Sequence, residues 1–450
     1  MGKSIDRASS HPLAFVRRRR GWSYQELARV VADNARALGV PMAARREKVW
    51  RWEHWGVVPE ADSQRALARA LGVPAERLES HPWPDWLPAH SGVPTGRPWT
   101  GAGSLAALAE LADDAGADPR GYPLVTGSAL AEALAEWRTA VAGRSPRQPP
   151  GPPGPVDAVT VHWAQESVTG LRRLEDRLGS GAVRHRVEAD LGLVRELLHR
   201  GTREPRLRTE LFRTAADLAH LGGWVCTDTA RHGPAQRFFL TGLRLAHTAG
   251  DRPLAANLLA GLSLQAALAG RPSDALAAAD AAREAASGRT CARVRSMVAT
   301  RRARSHALLG DERACRRALE EARRLLDRAE ARGGNDPAWI YYFDESELAG
   351  QAGSALLDLG LPAEAAPLLE SARAVRAAEF PRDRAVYAAR AAVAHARCGN
   401  RARAGALAEE AARTALNCVS PGATAALEQA RAALDEAAAL SGGGAPLVTP

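Results

Sequence analysis

Residues 43 to 55 read AARREKVWRWEHW, interleaving Trp50, Trp52 and Trp55 with Arg45, Arg46, Lys48 and Arg51. If Val49 packs inward, a helical turn of about 100° per residue sends Trp52 to the same side and Arg46, Glu47, Trp50 and Arg51 to the opposite one. Guanidinium groups there can donate paired hydrogen bonds to guanine O6 and N7, and a carboxylate can accept from cytosine N4. The outward set therefore has the chemistry to read base edges. Trp52 is expected in a core and Trp55 beneath the following loop. Trp50 has two equal readings: contact with a sugar-phosphate or thymine methyl, and packing against the preceding helix.

No constellation of this kind points to catalysis. Gly2-Lys3-Ser4 lacks the strand and glycine loop of a phosphate-binding loop. The neighbouring carboxylates Asp113-Asp114 and Asp344-Glu345 diverge by about 100° on a helix, and the histidines are dispersed without a nucleophile turn or metal-binding spacing. Cys226, Cys291, Cys315, Cys398 and Cys418 form no C-x-x-C pair. That argues against a zinc site or disulfide framework and suits free thiols in a reducing cytosol. The expectation is a non-enzyme without cofactor or metal.

These side chains need elements to hold them. The 450 residues are 46% hydrophobic but only 5% aromatic, and long Ala-, Leu-, Arg- and Glu-rich stretches favour an all-α fold of several domains. The net charge is +9, and between Arg7 and Trp55 eleven basic residues face Glu26, Asp33, Glu47 and Glu53, 11 − 4 = +7. Such a concentration is the electrostatic footprint of a nucleic-acid partner, although a solvated helix face gives the same count. No apolar run approaches the roughly 18 residues of a membrane span and no secretion signal is evident, so a cytoplasmic chain with no membrane partner is expected.

The chain divides at its prolines. Residues 1–80 read as a helical module behind a loose ten-residue tail, and 81–103 as a Pro/Trp-rich linker or extended packing arm. Residues 104–144 carry two short helical patterns, a candidate subdomain of its own. A stiff Pro/Gly spacer at 145–156 precedes helical repeats over 157–440 and a tail at 441–450. In the repeats, Gly270, Gly310, Gly360 and Gly399 are each followed at five, nine and twelve residues by mostly small side chains: Ala275, Ala279, Ala282; Cys315, Leu319, Ala322; Ala365, Leu369, Ala372; Ala404, Ala408, Ala411. A weaker copy starts at Ala230 with Ala235, Phe239 and Gly242, giving separations of 40, 40, 50 and 39 residues. The glycine would end one helix in a left-handed turn, and the small residues would let the next approach its neighbour. This resembles tetratricopeptide repeats, with a longer period and without most of their first-helix signature. The resemblance puts concave positions at Asp217, His220, Trp224, Asn257, Arg304 and Glu347, expected to bind a peptide, small molecule or protein partner. DPAWIYYFDESELAG, residues 336 to 350, falls at the widened spacing; it reads either as a cap filling a wedge between repeats or as part of a pocket.

Upstream, Gly21 separates two helices, and Ser23 with Glu26 forms an S-x-x-E capping box for the second. A third helix is expected over Ala43 to His54 and a fourth over Asp62 to Leu71. GWSYQELA, VWRWEHWGVVP and RALARALGVP, in that order, resemble phage-repressor-like (XRE-family) helix-turn-helix regulators. The resemblance implies that the third helix enters the major groove of double-stranded DNA with base-reading positions at Arg46, Glu47 and Arg51. Trp50, Lys48, Tyr24, Gln25 and Arg18 are further expected DNA contacts. It also implies an internal Arg17–Glu53 pair, phosphate contacts from Arg18, Arg19 and Arg20, and a homodimer spanning two half-sites. Two departures stand out. Tyr24 replaces the usual Gln, and about eleven extra residues lie between Leu27 and Val49, expected to lengthen the second helix across VVADNARALGVPMAA. The reading is a transcriptional regulator with a sensing repeat domain; the alternative is an interaction scaffold that does not bind DNA.

Overall fold

The computed structural model describes residues 11–87, 97–114, 123–143, 152–288, 290–332, 336–376 and 379–442. The tail at 1–10, most of that at 441–450, and residues 145–151 of the spacer lie outside them. Every regular element among the described residues is a helix, so the chain has the all-α fold its composition predicts; one isolated bridge joins Pro155 to Thr202. No helix among them is long and apolar enough to cross a membrane.

The N-terminal unit comprises α1 (Pro12–Arg19), α2 (Tyr24–Ala37), α3 (Arg46–His54), α4 (Ala61–Leu71) and α5 (Ala75–Ser80). Both halves of the Ser23/Glu26 capping box form. Leu13, Leu27, Val31, Val49, Trp52 and Leu67 meet in one core. The second helix is shorter than its sequence suggests: it stops at Ala37 because Gly39 turns left-handed (φ 78°) and Val40 N–H donates to the Ala35 carbonyl at 2.9 Å. The eight residues 38–45 then run without helix, and α3 begins at Arg46, not Ala43.

The expected boundary at residue 80 also moves. Trp83, Trp86 and Leu87 join the N-terminal core, and the Trp86 indole donates to Gln64 Oε1 at 2.9 Å. Of the two readings of this stretch, residues 81–87 follow the packing arm, because the apolar side chains between their prolines lie on the domain core.

The repeat array follows as helical hairpins: α8 (Ala158–Leu178) with α9 (Ser180–Arg200), α10 (Pro205–Asp228) with α11 (His232–Ala249), α12 (Arg252–Leu268) with α13 (Pro272–Ala285), α14 (Ala292–Leu308) with α15 (Glu312–Arg332), α16 (Glu345–Asp358) with α17 (Pro362–Val375), and α18 (Pro381–Arg397) with α19 (Arg401–Ala415). Last comes α20 (Pro421–Gly442). The left-handed turns lie where the sequence repeat places them, at Gly270, Gly310, Gly360 and Gly399, and Ala230 adopts φ 55° at the start of the weak copy. The small residues that follow are buried, apart from the half-buried Leu319. The widened interval holds a 3-10 turn, Ala338–Ile340, whose Trp339 and Ile340 fill the core with Phe343, as a wedge would.

The middle helices, α6 (Gly101–Asp114) and α7 (Gly127–Ala142), do not form a separate subdomain. They pack on α9, α11 and α13, and Leu108, Leu130 and Trp137 belong to the same core as the array. Two short amphipathic helices bury too little on their own and use the array's outer face instead. Buried Arg244 of α11 fixes the stretch before them by donating to the Arg97 and Pro98 carbonyls at 2.9 and 3.2 Å.

The array closes on itself. Val419 N–H donates to the Leu178 carbonyl at 2.7 Å, Gly181 N–H donates to the Val419 carbonyl at 3.0 Å, and Arg382 of α18 pairs with Glu175 of α8. A Cβ at Gly179, which has φ 85°, would lie 2.7 Å from the Val419 oxygen, so closure needs glycine there.

Candidate functional site

In the N-terminal unit, α3 is oriented by an ion pair. Arg17 Nε and Nη2 donate to the two Glu53 carboxylate oxygens at 2.8 and 3.0 Å, with no Glu53 side-chain surface exposed. The Arg17 guanidinium also lies 3.9 Å from the Tyr24 ring centre. Tyr24 thus completes an internal network, half-buried at the start of α2. Its phenol is raised above its ordinary pKa, first by burial and then by the Glu53 charge.

With Val49 and Trp52 buried, the other side of α3 faces outward. Arg46 and Glu47 are about 70% exposed and pair with each other at 3.0 Å, a contact worth little in water and readily exchanged for another partner. Glu47 is held below its ordinary pKa by its own backbone N–H and by Arg46. Arg51 is exposed, Lys48 reaches Glu60 at 3.6 Å, Gln25 is half-buried, and exposed Arg18 donates to the Ala14 carbonyl at 3.1 Å. The Arg19 side chain is outside the described residues.

Trp50 is half-buried and outside the apolar core. It stacks on His54, centroids 4.4 Å apart. Trp55 is 62% exposed, not under the loop, and sits edge-on to Trp50 with Arg51 over its ring. The reason is Gly56, whose φ of 64° turns the chain so that Val57, one residue later, packs on the core.

A second site lies inside the closed array. A chamber of about 490 Å³ is walled by the first helix of each hairpin from α10 to α18, together with α8, α20 and Tyr341 and Tyr342. His220, Trp224, Asn257, Arg304 and Glu347 line it. Asp217 does not; it pairs with buried Arg172, which does. The aromatic segment is thus both wedge and wall.

The lining is charged but mostly paired. Arg304 Nε donates to Asp358 Oδ2 at 2.9 Å, and Arg390 takes the other oxygen of the same carboxylate. Glu347 accepts from Tyr387 Oη at 2.7 Å and from Gln351 Nε2 at 2.9 Å. Burial, reinforced by Arg172 and Arg301, holds His220 well below the ordinary histidine pKa, so its imidazole is neutral. Burial raises Asp176 to about 6, although Tyr341 donates to it across the closure.

Sequence reasoning missed Arg301, Gln351 and Asp358. The signal was present: each shares a helix face with an expected position, three residues before Arg304 and four and eleven after Glu347. Among the described residues no group of histidine, cysteine and carboxylate side chains is arranged to hold a metal. No protein-family model and no curated protein matches this chain.

Proposed function

We propose that this chain is a sequence-specific DNA-binding transcriptional regulator of the helix-turn-helix, phage-repressor-like kind, acting in the cytoplasm as a homodimer. Its tetratricopeptide-like array receives an effector in the chamber. The observation that carries the reading is the orientation of α3. Val49, Trp52 and Glu53 fasten one side to the domain, while Arg46, Glu47 and Arg51 stand in solvent on the other. A nine-residue helix with no side chain capping its N-terminus, beside Arg45, suits a phosphate at that end and base edges along its face. One such domain covers a single half-site, so two copies would sit about 34 Å apart on one side of the duplex.

The test is selection of duplex DNA by the full chain from a pool of genomic fragments, repeated with Arg46→Ala plus Arg51→Ala. A guanine contact contributes about 1–3 kcal/mol, so losing both is expected to weaken the selected site at least tenfold while non-specific binding changes less. Affinity should also fall with salt, by a log–log slope of about 0.9 per phosphate neutralised. Undiminished selection by the folded double variant would remove α3 as the reading helix. Failure of the parent chain to select any sequence would leave the scaffold reading in its place.

A further inference from the structure

Arg301 differs from the other arginines around the chamber. Arg172, Arg304, Arg382 and Arg390 each meet a carboxylate. Arg301 is 7% exposed, and its bond is to a neutral amide, Gln351 Oε1, at 2.8 Å. Its Nε has no partner. Asn257, 2% exposed on the adjacent α12, also lines the chamber, and its Nδ2 is without a partner too. A buried guanidinium without a counter-ion and a buried amide N–H without an acceptor both cost free energy that a bound oxyanion offsets.

Nearby cations strengthen the case. Arg304 and Arg390 share one carboxylate, Asp358, and the nearest carboxylate that Arg301 is linked to, Glu347, is reached only through Gln351, whose Nε2 donates to it at 2.9 Å. Apolar side chains lie one to three turns along the same helix faces: Leu264 and Leu268 beyond Asn257, and Met297 and Leu308 on either side of the arginines.

We propose that the chamber binds a small molecule carrying one carboxylate on an apolar body. The carboxylate sits between the Arg301 guanidinium and the Asn257 amide, and the body lies along Leu264, Met297 and Leu308. A planar carboxylate accepts two parallel bonds from guanidinium, which uses the geometry Arg301 leaves open. The lining also carries the carboxylates Glu175, Asp176, Asp228, Glu347 and Asp383, which oppose a second negative charge. The volume lies in the range of pockets that enclose small molecules. This deepens the effector site proposed above and rests on it. The same chemistry is offered by a medium-chain carboxylic acid and by the free C-terminus of a short apolar peptide.

The test is calorimetric titration of the full chain with octanoate, octan-1-ol and octylammonium, and with Leu-Leu bearing a free or an amidated C-terminus. At least one carboxylate is expected to bind at least tenfold more tightly than its uncharged counterpart, and whichever does so identifies the source. Arg301→Gln should reduce that binding at least tenfold. Asn257→Asp, nearly isosteric, should do the same by placing a negative charge where the ligand's must go. Either variant decides the matter if circular dichroism shows the other unfolded. Carboxylates that bind no better than their counterparts, or undiminished binding by both folded variants, would overturn the proposal. DNA selection is measured on the same samples. Lost carboxylate preference with selection intact therefore condemns only the ligand chemistry, and lost selection in the parent chain condemns only the regulator reading.

Discussion

Replacing Glu53 tests whether α3 is held by charge or by apolar packing alone. The Glu53 side chain is fully buried, that of Arg17 is 12% exposed, and they share two hydrogen bonds at 2.8 and 3.0 Å. Glu53→Ala removes both bonds and leaves a nearly buried guanidinium with only the Trp22 carbonyl at 3.1 Å and the Tyr24 ring. Stranding one member of a buried pair costs about 3–5 kcal/mol. Glu53→Gln retains one acceptor and should cost less, about 2 kcal/mol. Arg17→Met with Glu53→Leu removes both charges together and should restore much of the loss. The assay is native-state hydrogen exchange on the full chain. Since 1.4 kcal/mol is about a factor of ten, amides of residues 46–54 should exchange at least a hundredfold faster in Glu53→Ala, up to the limit set by the domain's own unfolding. Residues 252–268 should be unaffected. The argument fails if α3 protection in Glu53→Ala stays within threefold of the parent. It fails equally if Arg17→Met and Glu53→Leu combine additively, because coupled partners must not.

Two further outcomes concern the array. Asp176 has its folded pKa raised to about 6 from 3.8, so the folded chain takes up this proton more readily than the unfolded one. Its contribution therefore declines as pH rises from about 4 to about 6, and the penalty is fully present above that. Asp176→Asn keeps an acceptor for Tyr341 without the charge, so its urea midpoint should exceed the parent's at pH 7.5 and converge with it near pH 4; parallel pH profiles would refute this. At Gly353 two effects compete. Alanine gains about 1 kcal/mol of helix propensity, but its Cβ would meet Leu369 Cγ at 2.7 Å and the Ala365 oxygen at 3.1 Å on α17. Backbone cannot yield as a side-chain tip can, so Gly353→Ala should destabilise the array by a net 1–3 kcal/mol, visible as a lower thermal midpoint. An unchanged or higher midpoint would mean that α16 and α17 separate without penalty.

What the sequence carried was local. A capping box spans four residues, a left-handed glycine followed by small residues spans thirteen, and both recur in the structure because hydrogen bonds and steric contacts within one or two helices decide them. The inward side of α3 was legible for the same reason: one apolar anchor at Val49 fixes the phase of a helix. Five of the six expected concave positions reach the chamber wall because helical phase carries from one hairpin to the next. The misreadings share a cause as well. Trp55 was misplaced because one left-handed glycine after it redirects the chain. The middle helices were taken as a separate body because their apolar faces do not name the surface that covers them. Closure of the array was invisible, since Arg382 and Glu175 are 207 residues apart and nothing in either neighbourhood specifies the other.

Long-range contacts of the same kind join the N-terminal unit to the array. Asp85, in the tryptophan-rich end of the N-terminal domain, accepts from Ser128 Oγ at 3.2 Å and Thr126 Oγ1 at 3.4 Å at the start of α7. Next to them, Gly127 N–H donates to Asp274 of α13 at 3.0 Å, and Gln236 of α11 bonds both the N–H and the carbonyl of Val125, at 2.7 and 2.8 Å. α11 and α13 are the hairpin partners of α10 and α12, which carry His220 and Asn257 into the chamber. Helices packed through alanine and glycine seams have little slack, so a tilt of α12 would displace α13 and with it the turn that Asp85 of the N-terminal unit contacts. Arg382–Glu175 and Tyr341–Asp176 hold the last hairpins and the aromatic segment to α8 beside the chamber. The extra length in the α2–α3 connector then has a mechanical consequence. With no helix over residues 38–45, α3 takes its orientation from the Arg17–Glu53 pair and the core, and not from a rigid continuation of α2.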